Sequence, residues 1–268
     1  MPDTKFSTLM DKVQNTRGDT QFHIPDDWMQ GRTAYGGLVA AMALKSMRGH
    51  VPQERKLRSL LFSFVGPLNS EPFFIQTQLL RSGKSVTTIE SKLIQNDKIC
   101  CTAMGSFGAD RNSKIKIAPI KRLEMQDPSK VLELPCIEGL TPAFTRHFDY
   151  RWAIGELPFS GKGGQEIGGW INFREKTNCL TEECLIALAD GGPTPVLSKL
   201  KEPAVASTLT WALGFVHIDR MTCSEKKWWA YHCVIDSAER GYAHERSTIW
   251  EPEGQLAVYS QQTTTVFA

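Results

Sequence analysis

The sequence predicts an α+β fold in which an antiparallel sheet curls around a helix, and it predicts that this plan occurs twice. Three observations lead to this prediction. One helical segment has no polar face, runs of strand-forming residues follow it with turn residues between them, and the second half of the chain repeats the order of the first. A repeated order of elements at a fixed offset indicates an internal duplication.

The first predicted helix covers residues 36 to 49 and is apolar on every side. It opens on Gly36 and Gly37, and its first charged residue is Lys45. Its apolar residues are Leu38, Val39, Ala40, Met42, Ala43, Leu44 and Met47. A helix without a polar face is usually buried on all sides, so we expect a sheet to enclose it. The segment before it reads as a polar N-terminal lead.

Four strands are predicted after this helix, in residues 57–65, 73–83, 85–95 and 98–108. These runs are rich in Phe, Ile, Val and Thr, show partial alternation of apolar and polar residues, and are separated by Gly-Pro, Ser-Gly-Lys and Asn-Asp. That combination is typical of short antiparallel strands joined by hairpins. Residues 109–142 mix Lys, Pro, Asp and Glu without clear periodicity, and we interpret them as a linker.

The second half repeats the plan, with a helical segment in 182–190 and strands in 206–216, 228–237, 243–251 and 255–267. Aligning the halves sets Asn96 on Glu253, an offset of about 157 residues, and "RSLLFSF" on "STLTWAL" at an offset near 149. The Gly36-Gly37 pair then falls near Asp190-Gly191. We therefore expect an N-terminal domain in residues 1–108, the linker in 109–142 and a C-terminal domain in 143–268.

Composition narrows the function classes. The net charge is only +2, from 31 Lys plus Arg against 29 Asp plus Glu, so nucleic acid is a poor partner. Seven cysteines without a CxxC pair favour a reduced compartment, hence the cytoplasm, over a disulfide framework or a zinc site. We find no secretory signal, no segment of about 18 apolar residues for a membrane span, and no close pair of histidines for a metal.

Two motifs resemble nucleophile or phosphate loops but fail on spacing. Ser106 in "GSFG" does not complete a GxSxG elbow, which argues against a serine hydrolase. The stretch "GRTAYGG" has the glycine spacing of a phosphate loop but lacks its Lys and its Ser or Thr.

The order of motifs resembles the double-hotdog acyl-CoA thioesterases of the bacterial acyl-CoA thioesterase II type. The resemblance rests on the Gly-Gly helix, "LRSLLFSFVGPL", "HFDYRW", "GGWINFRE", "ALADGGPTPVL", "STLTWALGFVH" and "EGQLAVYSQQT", and it extends from about residue 28 onward. It implies two hotdog domains side by side, two antiparallel sheets that each wrap a central helix and together form one layer. It also implies a hydrolase of fatty acid metabolism that takes acyl-CoA and needs no cofactor.

The resemblance also implies a catalytic set. The family's Asp, Thr and Gln fall on Asp190 in "ALAD", Thr208 in "STLTW" and Gln262 in "YSQQT", with Gln261 as a rival for the last. Such residues suit thioester hydrolysis, because a carboxylate can take a proton from water while a hydroxyl and an amide orient it. Gly36 and Gly37 would bind the substrate, since glycines let a thioester carbonyl approach backbone N–H groups at the start of a helix.

The duplication gives an internal comparison. Where the second half has Asp190, Thr208 and Gln262, the alignment gives the first half Gly37, Ser59 and Gly105, so we expect one working site per chain. Two alternatives keep the fold, a noncatalytic acyl-thioester binding protein and a hotdog hydratase-like lyase. Acyl chain length stays open, and so does the oligomeric state, with a homodimer or a homotetramer as the candidates.

Overall fold

One continuous antiparallel sheet dominates the structure, a computed structural model that describes residues 3–14, 20–175, 181–216 and 228–268. Cys179, His217 and Cys223 lie outside the described residues. The helices are α1 (Phe6–Gln14), α2 (Gly36–Arg48) and α3 (Glu182–Ala189), with short 3-10 turns at Asp26–Trp28, Pro128–Lys130, Ala143–His147 and Pro195–Lys199. Among these described residues, no helix is both long and apolar enough to cross a membrane.

The strands follow the predicted segments closely and add several that were not predicted. In the first half they are β1 (Gln21–Phe22), β2 (Met29–Gln30), β3 (Thr33–Ala34), β4 (Lys56–Phe64), β5 (Phe73–Ser82), β6 (Val86–Gln95) and β7 (Lys98–Gly108). Next come β8 (Leu132–Leu134), β9 (Phe148–Ile154), β10 (Glu166–Phe173), β11 (Val205–Phe215), β12 (Trp229–Glu239), β13 (Tyr242–Trp250) and β14 (Leu256–Phe267). Strands β2 and β3 form a separate hairpin.

Within the described ranges, the large sheet has twelve strands in the order β1-β5-β6-β7-β4-β11-β14-β13-β12-β10-β9-β8. The strand order is symmetric about the contact between β4 and β11. Read outward from this contact, β4-β7-β6-β5 on one side corresponds to β11-β14-β13-β12 on the other. Two sheets joined side by side were expected to form one layer, and the structure has a single hydrogen-bonded sheet there, because a ladder that includes the pair Leu60–Leu213 joins β4 to β11. Each of these strands would otherwise be a sheet edge with unpaired N–H and C=O groups, and pairing them removes both edges.

The polar N-terminal lead was also a wrong prediction, because residues 6–14 form α1. Its buried residues are Phe6, Leu9, Met10 and Val13. That spacing places them on one helical face, which packs against α2. The helix is short and amphipathic, so the sequence held a signal for it that the polar residues between these positions obscured.

The two central helices run antiparallel. At one end Arg48, the last residue of α2, forms a bidentate ion pair with Glu182, the first residue of α3. The Arg48 Nε lies 2.6 Å from Glu182 Oε2. At the other end Gly36, the first residue of α2, lies beside Asp190, which follows α3. The predicted equivalence of Gly36-Gly37 with Asp190-Gly191 was therefore wrong. The first pair lies at the N-terminus of α2 and the second follows the C-terminus of α3, and the two pairs are neighbours in space.

The sheet register corrects the comparison between the halves. The β4–β7 ladder has an irregularity between Leu57 and Ser59, and the β11–β14 ladder has one between Thr208 and Thr210. Matching these irregularities makes Leu57, and not Ser59, the counterpart of Thr208. The same register keeps Gly105 as the counterpart of Gln262. The residue that follows α2 is Gly49, which takes the place of Gly37 as the counterpart of Asp190.

Candidate active site

Three separate elements bring Asp190, Thr208 and Gln262 together on the helix side of the sheet. Asp190 is the first residue beyond α3, Thr208 lies in β11 and Gln262 lies in β14. The Thr208 hydroxyl donates to Gln262 Oε1 at 3.0 Å, and Gln262 Nε2 donates to Asp190 Oδ1 at 3.1 Å. The Gln262 amide thus connects the hydroxyl to the carboxylate and fixes its own orientation, with its oxygen toward Thr208 and its nitrogen toward Asp190.

Strand alternation separates the two adjacent glutamines. Side chains that follow each other along a strand point to opposite faces of the sheet. Gln262 points toward Asp190 and is half-buried, whereas Gln261 is exposed. Of the two rival positions, only Gln262 contacts the carboxylate.

Two tyrosines that no sequence motif indicated hold the segment around Asp190. The Tyr35 hydroxyl donates to the Ala187 carbonyl in the last turn of α3, and the Tyr150 hydroxyl donates to the Gly191 carbonyl at 2.9 Å. Both rings are buried, and Tyr35 stacks on Phe144 with 3.9 Å between ring centroids. These bonds fix the backbone on both sides of Asp190. Each tyrosine lies far from Asp190 in the sequence, so spacing alone could not reveal the contact.

Burial raises the pKa of Asp190 to about 7, well above its usual value of 3.8. Desolvation is the main cause, because it penalises the charged carboxylate. Hydrogen bonds from the Gln262 amide and the Gly37 backbone N–H act against it, and the negative charge of Glu245 adds to it. A carboxyl group with a pKa near 7 can accept a proton at neutral pH and can also give it back.

The start of α2 forms the opposite wall of this site. Gly37 donates its N–H to Asp190, and a methyl group on Gly36 would lie 2.9 Å from Asp190 Oδ2. The first N–H groups of a helix have no acceptor within the helix, and the helix dipole favours negative charge there. The site therefore combines a carboxylate, an amide and a hydroxyl with backbone donors at a helix N-terminus.

The corresponding place in the first half is filled with apolar side chains. Met47 Sδ lies 2.7 Å from where a Cβ on Gly105 would stand, and Leu60 and Phe107 complete the contact. Leu57, the counterpart of Thr208, is buried as well. The first half thus has no carboxylate, hydroxyl or amide at these three positions.

No group of three or more His, Cys, Asp or Glu side chains is arranged to hold a metal ion within the described ranges.

A methyl group at Gly36 is expected to reduce activity without loss of fold. In Gly36→Ala the new Cβ displaces the Asp190 carboxylate, and we expect kcat to fall about 10- to 100-fold, as small misplacements of reacting groups do. Gly66→Ala is the matched control, because a Cβ there meets nothing within 4 Å. Measurement of kcat and of the melting temperature for both variants checks this expectation. Equal activity in the two variants would contradict the placement of Gly36 against Asp190.

Sequence models of two family domains match most of the chain. The model of the acyl-CoA thioesterase N-terminal domain matches residues 24–108, and that of the acyl-CoA thioesterase C-terminal domain matches residues 124–266. No curated protein sequence matches the chain.

Solved structures of similar fold cover nearly the whole chain at low identity. A conserved protein with a hot dog fold from Alicyclobacillus acidocaldarius is 18% identical, with 97% of this chain and 98% of that one covered and a TM-score of 0.84. A tesB protein of Mycobacterium avium subs paratuberculosis is 18% identical, with 98% and 100% covered and a TM-score of 0.77. The acyl-CoA thioesterase II TesB2 of Mycobacterium marinum is 16% identical, with 96% and 98% covered and a TM-score of 0.74. These likenesses show a hotdog fold.

Proposed function

This chain belongs to the acyl-CoA thioesterase family, which hydrolyses acyl-CoA thioesters, and from that premise we propose that Asp190, Thr208 and Gln262 carry out the reaction on a fatty acyl-CoA. The single observation that supports this most strongly is the hydrogen-bonded series from Thr208 through Gln262 to Asp190, opposite the start of α2. It brings a base and two orienting groups to one point from three elements that are far apart in the sequence.

In the proposed reaction, ionised Asp190 accepts a proton from a water molecule that the Thr208 hydroxyl and the Gln262 amide orient. The water oxygen forms a bond to the thioester carbonyl carbon, and the carbonyl oxygen takes up the negative charge. When the C–S bond breaks, the electron pair on this oxygen re-forms the C=O bond and the charge passes to the CoA sulfur, which leaves with the proton that Asp190 holds. The products are a free fatty acid and CoA, and Asp190 returns to its starting state.

The developing oxyanion would lie against the Gly36 N–H at the start of α2, because the Gly37 N–H is hydrogen-bonded to Asp190. Gly36 and Gly37 leave room for the carbonyl because neither carries a Cβ, and the helix dipole favours the charge that develops. We therefore propose Gly36 and Gly37 as substrate-binding residues.

We further propose one such site per chain. The apolar packing of Met47 against Gly105 supports this, because it occupies the first-half position that corresponds to Gln262. The proposal keeps the domain division 1–108 and 143–268 with the linker 109–142, as two hotdog units whose sheets meet at β4 and β11. It also keeps the cytoplasm as the compartment, on the cysteine pattern, and leaves a dimer or a tetramer as the assembled form.

The two alternatives make different demands on the same site. A hydratase-like lyase of this fold is expected to place a His beside the Asp, whereas the partners of Asp190 given by the structure are the Gln262 amide and the Gly37 N–H. A noncatalytic binding protein would have no need of a carboxyl whose pKa lies near 7. Both observations favour hydrolysis.

The test is thiol release from saturated acyl-CoAs of increasing chain length, with wild-type protein beside Gln262→Leu and Gln261→Leu. We expect release by the wild type, about a 10- to 100-fold lower kcat in Gln262→Leu through loss of a group that orients water, and near wild-type activity in Gln261→Leu, its exposed neighbour. Binding of acyl-CoA by the wild type without release of thiol would instead support the noncatalytic alternative.

A further inference from the structure

We infer that Glu245, a buried acid in β13, is a positioning residue that anchors the Asp190 loop, residues 190–194, to the sheet and places a negative charge behind the catalytic centre. This inference rests on the proposed function, because it assigns Glu245 a role through Asp190. Glu245 does not contact the substrate in this proposal, and it acts only on the residue that does.

Glu245 is buried on the same side of the sheet as Gln262. It is 4% exposed, and the β13–β14 register sets it directly opposite Gln262. An acidic residue is rarely buried unless it is paired, since removing a carboxylate from water is costly. Its inward-facing neighbours along β13 are small or apolar, Ala243 on one side and Ser247 on the other. An apolar residue would fill this position at lower cost, so packing alone does not account for the acid.

The carboxylate of Glu245 receives hydrogen bonds from three strands or loops. Thr264 Oγ1 in β14 donates to Oε1 at 2.7 Å, and Cys233 Sγ in β12 donates to Oε2 at 3.4 Å. The third partner is the side chain of Thr194. All three groups are neutral, so Glu245 is stabilised by hydrogen bonds and by no opposite charge among these partners.

Thr194 connects Glu245 to the catalytic loop. It lies four residues after Asp190 and begins the 3-10 turn Pro195–Lys199, where its side chain also accepts a hydrogen bond from the Val196 N–H at 3.3 Å. The loop is thus held at Gly191 by Tyr150 and at Thr194 by Glu245. With these two anchors, the backbone that carries Asp190 is fixed on its C-terminal side.

Charge is the second part of the inference. Among the described residues, the titratable groups that interact with Asp190 are Tyr35, Tyr150 and Glu245, and both tyrosines stay neutral because burial raises the pKa of each. Around Glu245 the titratable neighbour besides Asp190 is the Cys233 thiol, whose pKa burial also raises. Glu245 is therefore the group among these that can add negative charge near Asp190, and a like charge favours the protonated form. Burial raises the pKa of Glu245 itself.

The test compares Glu245→Gln, which keeps the shape and removes the charge, with Glu239→Gln, a control at an exposed acid on the same hairpin. In Glu245→Gln we expect the midpoint of the acid limb of kcat/KM to move to lower pH by about half a unit to one unit, because ionisation of Asp190 becomes easier. We expect kcat to fall several-fold and KM to change little, since the substrate is not contacted. Glu239→Gln should have the wild-type midpoint, kcat and KM.

A second pair of variants tests the anchor. Thr194→Val removes the donor to Glu245 and should lower kcat several-fold with little change in KM, whereas Thr194→Ser keeps the hydroxyl and should restore kcat. If Glu245→Gln does not fold, the two Thr194 variants still test the positioning role of Glu245. A folded Glu245→Gln with the wild-type midpoint and kcat, or a Thr194→Val as active as the wild type, would overturn the inference.

Failure of the proposed function would be recognised separately, as absence of thiol release by the wild type. In that case the titration of Asp190 itself, followed by NMR of carboxyl-labelled protein, still tests the effect of Glu245. The inference predicts a lower Asp190 midpoint in Glu245→Gln than in the wild type, and equal midpoints would contradict it.

Discussion

Replacement of Asp190 with asparagine is expected to reduce kcat by about 10²- to 10⁴-fold, the usual contribution of a positioned base. The asparagine side chain keeps the size of the original and a bond to Gln262 but cannot accept a proton from water. Thiol release by Asp190→Asn, with Asp97→Asn at an exposed hairpin turn as the control, measures the effect. Activity of Asp190→Asn within a few-fold of the control would contradict the assignment of Asp190 as the base.

The same substitution is expected to stabilise the protein above neutral pH. The folded-state pKa of Asp190 is raised to about 7 from 3.8, so the folded state binds this proton more tightly than the unfolded chain does. The free energy of unfolding therefore falls as the pH rises from about 4 to about 7, and this loss persists at higher pH. An asparagine carries no charge to desolvate, so Asp190→Asn should melt at a higher temperature than the wild type at pH 8. If Asp190→Asn loses activity but melts at a higher temperature, unfolding is excluded as the cause of the lost activity.

The second large effect is expected in the pH dependence of the wild-type enzyme. If Asp190 must be ionised to accept a proton, kcat/KM should fall tenfold for each pH unit below about 7 and reach a plateau above it. Gln262→Leu should move this midpoint to higher pH, because the hydrogen bond from the Gln262 amide lowers the pKa of Asp190. The measurement is kcat/KM from pH 5 to pH 9 for both proteins. A wild-type midpoint near 4, the value of an exposed Asp, would contradict the buried environment described for Asp190.

Local sequence patterns predicted most of the central sheet and both central helices. The eight predicted strands correspond to β4 to β7 and β11 to β14 with ends that differ by at most about two residues. These segments succeed because alternation and turn residues act over short distances. Helix α1 and the strands β8 to β10 were not predicted, although β9 alternates apolar and polar residues from Phe148 to Trp152, a signal that could have revealed it.

Features that depend on contacts between distant segments could not be predicted in the same way. The alignment of the two halves made Gly37 the first-half counterpart of Asp190. In the structure α2 and α3 pack antiparallel, so the two residues are direct neighbours. The positions of Tyr35, Tyr150 and Glu245 around the Asp190 loop follow from burial and register. Sequence spacing contains neither, although Glu245, an acid between the small residues Ala243 and Ser247 on the same face of the predicted strand, was a visible irregularity.

The central claim is that Asp190 acts on water and does not itself attack the thioester. Single-turnover hydrolysis in ¹⁸O-labelled water, with enzyme in excess over acyl-CoA and with acid-quenched samples examined by mass spectrometry for an acyl group on Asp190, separates these routes. Direct attack of water places one ¹⁸O atom in every molecule of released fatty acid and none in Asp190, and this is the result we predict. Transfer of the acyl group to Asp190 gives an anhydride, and water attack on its aspartyl carbonyl leaves ¹⁸O in the Asp190 carboxyl group. Detection of an acylated Asp190 peptide in the quenched samples, or of ¹⁸O in that peptide together with unlabelled fatty acid, would contradict the claim.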